Sequence, residues 1–229
     1  MGEQVMERAY RNVGCFLLVL LPIFVAGFWI PYLSEIPKFE SSITPAVHVH
    51  AVLLFSWIGL LVVQPFAIRY QAFALHRLLG KASFILMSMI VPFALAMIWK
   101  EYHEKISAGT TMATARNAEL ISAAQLAVIV GVYVLAIIRI LRRDVAAHMR
   151  YMICIALFLL PPGLARTLGY WFGVGQTTAQ TVCLAAIDLC LAALILFDRR
   201  RQLNAQPYVT AFMAYNITAV VWLAVGRPV

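Results

Sequence analysis

The chain carries five histidines: His48, His50, His76, His103 and His148. Two of them stand in matching surroundings. A stretch from Gly59 to Arg69 is followed by a short connection and His76-Arg77. A stretch from Gly131 to Arg139 is followed by a short connection and His148-x-Arg150. Each hairpin ends in Ile-Arg and resumes at His, which reads as a weak internal repeat. If the hairpins pack side by side, two imidazoles meet at one end of the molecule. Such a pair would suit one iron or another borderline metal, and as axial ligands it would suit a b-type haem. Arg77 and Arg150 beside them would neutralise haem propionates. The plainer alternative is two basic residues that happen to be histidine.

The other polar residues divide by spacing. His48 and His50 are two apart, about 200° on a helix, so they cannot both grip one metal. His50, Trp57 and Gln64 recur every seven residues, which predicts a polar stripe facing the interior, with His50 a further cofactor-binding candidate. Arg166 follows His148 by 18 residues, about five turns, so a straight helix would put both on one face. Between them Pro161 and Pro162 remove two backbone donors and predict a kink or break. Arg166 could hold a propionate, a lipid phosphate or a carboxylate, or serve as a structural partner. Asp188, with Gln64, Gln125 and Asn216, forms a predicted polar intramembrane cluster. Its chemistry would be a proton relay or ion path, and its structural reading is interhelical hydrogen bonding. Cys15, Cys154, Cys183 and Cys190 lie in apolar stretches without a C-x-x-C pair and read as small hydrophobes.

The elements that must position these groups are set by composition. Of 229 residues, 63% are hydrophobic and 12% charged, and the mean hydropathy is +0.85. Soluble domains are nearer half apolar and a quarter charged. The values exclude an ordinary soluble domain, a disordered chain and a collagen. Since lipid leaves backbone groups no external partner, the predicted fold is all-α, a polytopic transmembrane helical bundle forming a single domain. Seven spans are expected at about 13–33, 47–69, 81–100, 119–141, 147–172, 178–197 and 208–226. The connection from Glu101 to Ala118, containing His103, is expected to be a loop. Arg8, Arg11, Arg69, Arg77, Lys81, Arg139, Arg142, Arg143, Arg150, Arg199, Arg200 and Arg201 fall at one end, which is 12 of the 18 basic residues. The opposite end mixes Lys38, Lys100, Lys105 and Arg116 with Glu35, Glu40, Glu101, Glu104 and Glu119. The positive-inside rule then places the N-terminus in the cytoplasm and the C-terminus outside. Trp29, Trp99, Trp171 and Trp222 fall near the outer ends, as an aromatic belt would. The net charge of +8 is this topology signal, and nothing else supports nucleic-acid binding.

His48-x-His50-Ala with Trp57, Val62-Val63-Gln64-Pro65, Leu75-His76-Arg77-x-Leu79-Gly80, and Ala147-His148-x-Arg150-x-Met152 followed by Pro161-Pro162-x-x-Ala165-Arg166 resemble motifs of a group of uncharacterised bacterial multi-pass membrane proteins. The likeness covers about residues 48 to 166. It implies a bacterial inner-membrane location and marks His50, Gln64, His76, Arg77, Gly80, His148, Arg150 and Arg166. A looser similarity to b-type membrane cytochromes lies in the histidines at helix ends. Two-haem helical cytochromes carry paired inward histidines on one helix, and no segment here does. No H-E-x-x-H, phosphate loop or G-x-S-x-G occurs, and the seventh span has no lysine for a retinal. Three readings follow: a redox protein with b-type haem on His76 and His148; a non-enzymatic carrier or accessory subunit of a larger membrane complex; or a metal-dependent membrane enzyme.

Overall fold

Helix ends follow local signals along the chain. The computed structural model describes residues 7–38 and 43–225, excepting the side chains at 222, 223 and 225. Glu40 and the Trp222 side chain, both used above, lie outside the described residues. All regular structure described is helical: α1 Val13–Trp29, α2 Pro45–Arg69, α3 Phe73–Ser107, α4 Met112–Leu141, α5 Val145–Phe158, α6 Leu160–Phe172, α7 Gln176–Arg200 and α8 Gln206–Val225, with short 3₁₀ turns at Arg8–Tyr10 and Leu33–Glu35. Pro45 opens α2, where its missing N–H is harmless. Thr111 and Asp144 cap α4 and α5 by accepting from the N–H groups of Thr114 and Ala147. Gly173 closes α6 at φ 66°, the left-handed position that favours glycine.

Three connections at the basic end share one geometry. Gln71, Arg143 and Gln202 have φ of 60°, 62° and 56°. In each case the residue after it donates its N–H back five positions, Ala72 to Ala67, Asp144 to Arg139 and Leu203 to Asp198. This is the 6→1 bond of a Schellman turn, made here without glycine.

Six helical stretches are long and apolar enough to cross a membrane: Arg8–Trp29, Pro45–Arg69, Phe73–Ser107, Met112–Leu141, Val145–Phe172 and Gln176–Arg200. One expectation needs correction. The segment 101–118 is not a loop, because α3 runs on to Ser107 and α4 starts at Met112. The polar residues there do not break the helices. Lys100 pairs with Glu104, and Lys105 bridges Glu101 and the buried Glu119 of α4. His103 therefore sits on α3, exposed, with its ring edge-on to Trp99 at 4.5 Å. The expected break at Pro161-Pro162 is present: the stretch Val145–Phe172 is two helices that meet at Leu159, two residues before the pair, as the missing donors require.

Neighbouring helices pack in the order α1, α2, α3, α4, α8, α7, α6 and back to α1, a closed ring. Within it stands α5, where every residue from Ile153 to Phe158 is buried. Half of the apolar window in Val145–Phe172 is buried, against a third or less in the other five stretches, which marks the centre of the bundle. The chain leaves this centre at the proline pair, and α6 joins the ring between α1 and α7. Its approach to α1 is very close. A Cβ on Gly27 would stand 2.2 Å from the Gly163 carbonyl oxygen, so the two backbones touch. Thr167 donates to the Ile23 carbonyl and Trp171 Nε1 to that of Ala26 along the same seam.

Candidate functional site

The repeated turn places the histidine pair. His76 is the fifth residue after Gln71, and His148 the fifth after Arg143, so both leave the same left-handed turn in the same helical register. Helices α3 and α5 scarcely touch, since α4 packs against both. Nδ1 of His148 is 2.9 Å from the Ala136 carbonyl oxygen on α4. A carbonyl only accepts, so Nδ1 carries the proton and Nε2 keeps its lone pair. This is how ligating histidines are commonly oriented. Nδ1 of His76 is buried and has no partner.

Around His76 the polar groups continue along α2. The Gln64 amide donates to the His76 carbonyl at 3.3 Å, while its own Oε1 is buried and unpaired. Trp57, 1% exposed, has an unpaired Nε1, and Nδ1 of His50 is buried and unpaired as well. The predicted stripe His50–Trp57–Gln64 thus turns polar atoms into the protein at all three positions. Trp57 packs edge-on to Tyr133 at 5.4 Å, and the Tyr133 hydroxyl lies 3.0 Å from Ser83 Oγ. Ser83 and Tyr133 are buried members of this region that the sequence reading missed. The available signal was helical register, Ser83 lying seven residues after His76.

The two arginines differ. Arg77 is exposed next to His76. Arg150 is two residues beyond His148, on the opposite face of α5, and is fully buried. Its Nε donates to Asp198 Oδ2 at 2.6 Å, Nη1 and Nη2 to Glu7 at 3.3 and 2.8 Å, and Nη1 also to the Ala146 carbonyl. Tyr10 donates to the other Asp198 oxygen at 2.6 Å, and its ring lies under the guanidinium at 4.9 Å. Tyr208 packs beside it. The structure therefore does not place Arg150 as a free cation beside His148. It is the centre of a clasp joining the N-terminal turn, α5 and α7. Asp198 was missed because an acid amid Phe197-Asp198-Arg199-Arg200-Arg201 reads as solvated, and Glu7 because an acid beside Arg8 near the start of the chain reads the same way.

The remaining candidates form separate groups. Arg166 lies near the far end, 3.8 Å from Glu101, 5.0 Å from the Phe28 ring centre, and within electrostatic reach of His50. Its Nη1 also donates to the Pro162 carbonyl at 3.1 Å. Nearby, Nδ1 of His48 meets the Tyr32 hydroxyl at 3.0 Å. Asn216 on α8 donates to Asp188 on α7 at 3.1 Å, with Tyr215 beside Asp188 and Gln125. Gln64 belongs to the histidine region and not to that group, so the expected four-residue cluster is divided. Cys183 is buried and contacts the Pro161 carbonyl. Among the described residues no three or more His, Cys, Asp or Glu gather to hold a metal ion.

The fold is that of a helical multi-pass membrane protein, with His76 and His148 each five residues after a left-handed turn at its basic end. No family model, curated protein or solved structure matches the chain.

Proposed function

We propose that the protein spans a bacterial inner membrane seven times, N-terminus inside and C-terminus outside, and that His76 and His148 hold a b-type haem near the cytoplasmic rim. The observation that carries the cofactor reading is the donor set. His148 is held by a carbonyl at Nδ1, which leaves Nε2 to bind, and the buried Nδ1 of His76 has no protein partner. Two imidazoles are too few for a bare ion but are what a haem iron requires, since its macrocycle supplies the other four nitrogens. Ala136 fixes the His148 ring, Gln64 ties the His76 backbone, and exposed Arg77 would offer a propionate its positive charge. Arg150 has no such role, because its donors serve Asp198 and Glu7. Bound haem would supply one-electron chemistry. The seventh span in this reading is α8, whose 20 residues are enough for a hydrocarbon core.

Protein purified from haem-replete cells should then show a Soret band that shifts on reduction. His76→Ala or His148→Ala should each abolish the low-spin spectrum. His48→Ala, which alters a residue engaged with Tyr32 at the opposite end, should not. A colourless, metal-free wild type would overturn the reading.

A further inference from the structure

The basic end of α7 carries a groove that the histidine pair does not use. Its volume is about 480 Å³, and it is lined by Ala193, Leu196, Phe197, Arg200 and Arg201. Ala193, Leu196 and Arg200 follow one another at i, i+3 and i+7, so they form one face of the helix. The apolar members come first and the two cations close the end. That is the order met on passing from acyl chains to headgroups along a helix apolar enough to cross a membrane.

We propose that this groove binds an anionic phospholipid, with its phosphate held by Arg200 and Arg201 and an acyl chain lying over Ala193 and Leu196. Charge complementarity carries the assignment. Arg199, Arg200 and Arg201 are consecutive, and among the described residues none of them forms an ion pair. The adjacent carboxylate, Asp198, is fully buried and already engaged by Arg150 and Tyr10, so it does not neutralise the groove. Arg201 is also held in place. Its guanidinium lies 4.8 Å from the centre of the Phe197 ring, which in turn packs edge-on to Tyr10 at 5.9 Å. A guanidinium fork matches phosphate oxygens geometrically, and basic groups flanking a span attract anionic lipid. The apolar floor selects a lipid over free phosphate. Leu196 is 54% exposed there, an apolar surface that an acyl chain would cover and inorganic phosphate would not. The proposal does not depend on haem, nor on which way the bundle faces.

The test uses the full-length protein in a neutral detergent with phosphatidylglycerol, cardiolipin or phosphatidylcholine added, and counts retained lipid by native mass spectrometry. Wild type should retain the two anionic lipids in preference to phosphatidylcholine. Arg200→Gln with Arg201→Gln should weaken that retention about thirtyfold, about fivefold per arginine. Arg142→Gln with Arg143→Gln removes the same charge elsewhere at the same end and should leave retention unchanged. Equal melting temperatures in lipid-free detergent confirm that each variant is folded; if the first pair melts early, Leu196→Ser serves in its place and should reduce retention too. Equal losses in both double variants, or none in the first, would overturn the proposal. Competition by millimolar inorganic phosphate would also overturn it, by showing a free-anion site.

Discussion

At the scale of single residues the strongest constraint is Arg150. A buried guanidinium is tolerated only while its partners remain, and removing one carboxylate from such a pair costs about 3–5 kcal/mol. Asp198→Ala should therefore lower stability by about that amount, read from reversible unfolding in mixed micelles. Glu7 is 30% exposed on its side chain, so Glu7→Gln should cost about 1 kcal/mol or less. Replacing the pair together, Arg150→Met with Asp198→Leu, should recover most of the loss, because neither charge is then stranded. Asp188 makes a different case. Its hydrogen bond from Asn216 is the kind worth about 0.6 kcal/mol on average between membrane helices, so Asp188→Leu should leave a folded, only slightly weakened protein. Some of this was legible in the chain. The matching contexts of His76 and His148 correspond to the same left-handed turn five residues before each. The role of Arg150 was not legible: one position of helical register separates His148-x-Arg150 from His76-Arg77, and that step of about 100° carries the arginine to another face.

Among elements, the three Schellman turns at the basic end use residues with a Cβ where glycine would be easier. Gln71→Gly and Gln202→Gly should each be neutral or stabilising by up to about 1 kcal/mol, while Gln71→Val and Gln202→Val should destabilise. Thermal unfolding of the four variants checks both directions. The α1–α6 contact allows no such freedom. Any side chain at Gly27 meets backbone rather than a movable side chain, so Gly27→Leu should separate the helices and cost about 3 kcal/mol or more in the same assay. The break before Pro161-Pro162 could be read from the prolines alone. The length of α3 could not. Hydropathy finds where lipid would end, whereas Lys100, Glu101, Glu104 and Lys105 keep the backbone helical for two further turns by pairing with each other and with Glu119. A periodic apolar pattern marks the span, and ion pairs decide where the helix stops.

For the whole molecule, the basic connections 70–72, 142–144 and 201–205 lie at one end with the Arg8–Tyr10 turn, and the clasp of Arg150, Asp198 and Glu7 joins that end together. Under the proposed topology, a reporter active only outside the cytoplasm should work when fused after Val229 and stay silent when placed between Arg143 and Val145. The opposite pattern would reverse the bundle. The clasp also bears on time. Tyr10 and Asp198 are 188 residues apart, and Arg150 precedes Asp198 by 48. At a synthesis rate of about 5–20 residues per second, Arg150 is made roughly 2–10 seconds before its fully buried partner exists. Glu7 is already available during that wait, and Asp198 is not. The central helix therefore cannot settle into its final surroundings until the ribosome has passed the end of α7, and completion of the core is a late event in the life of the nascent chain.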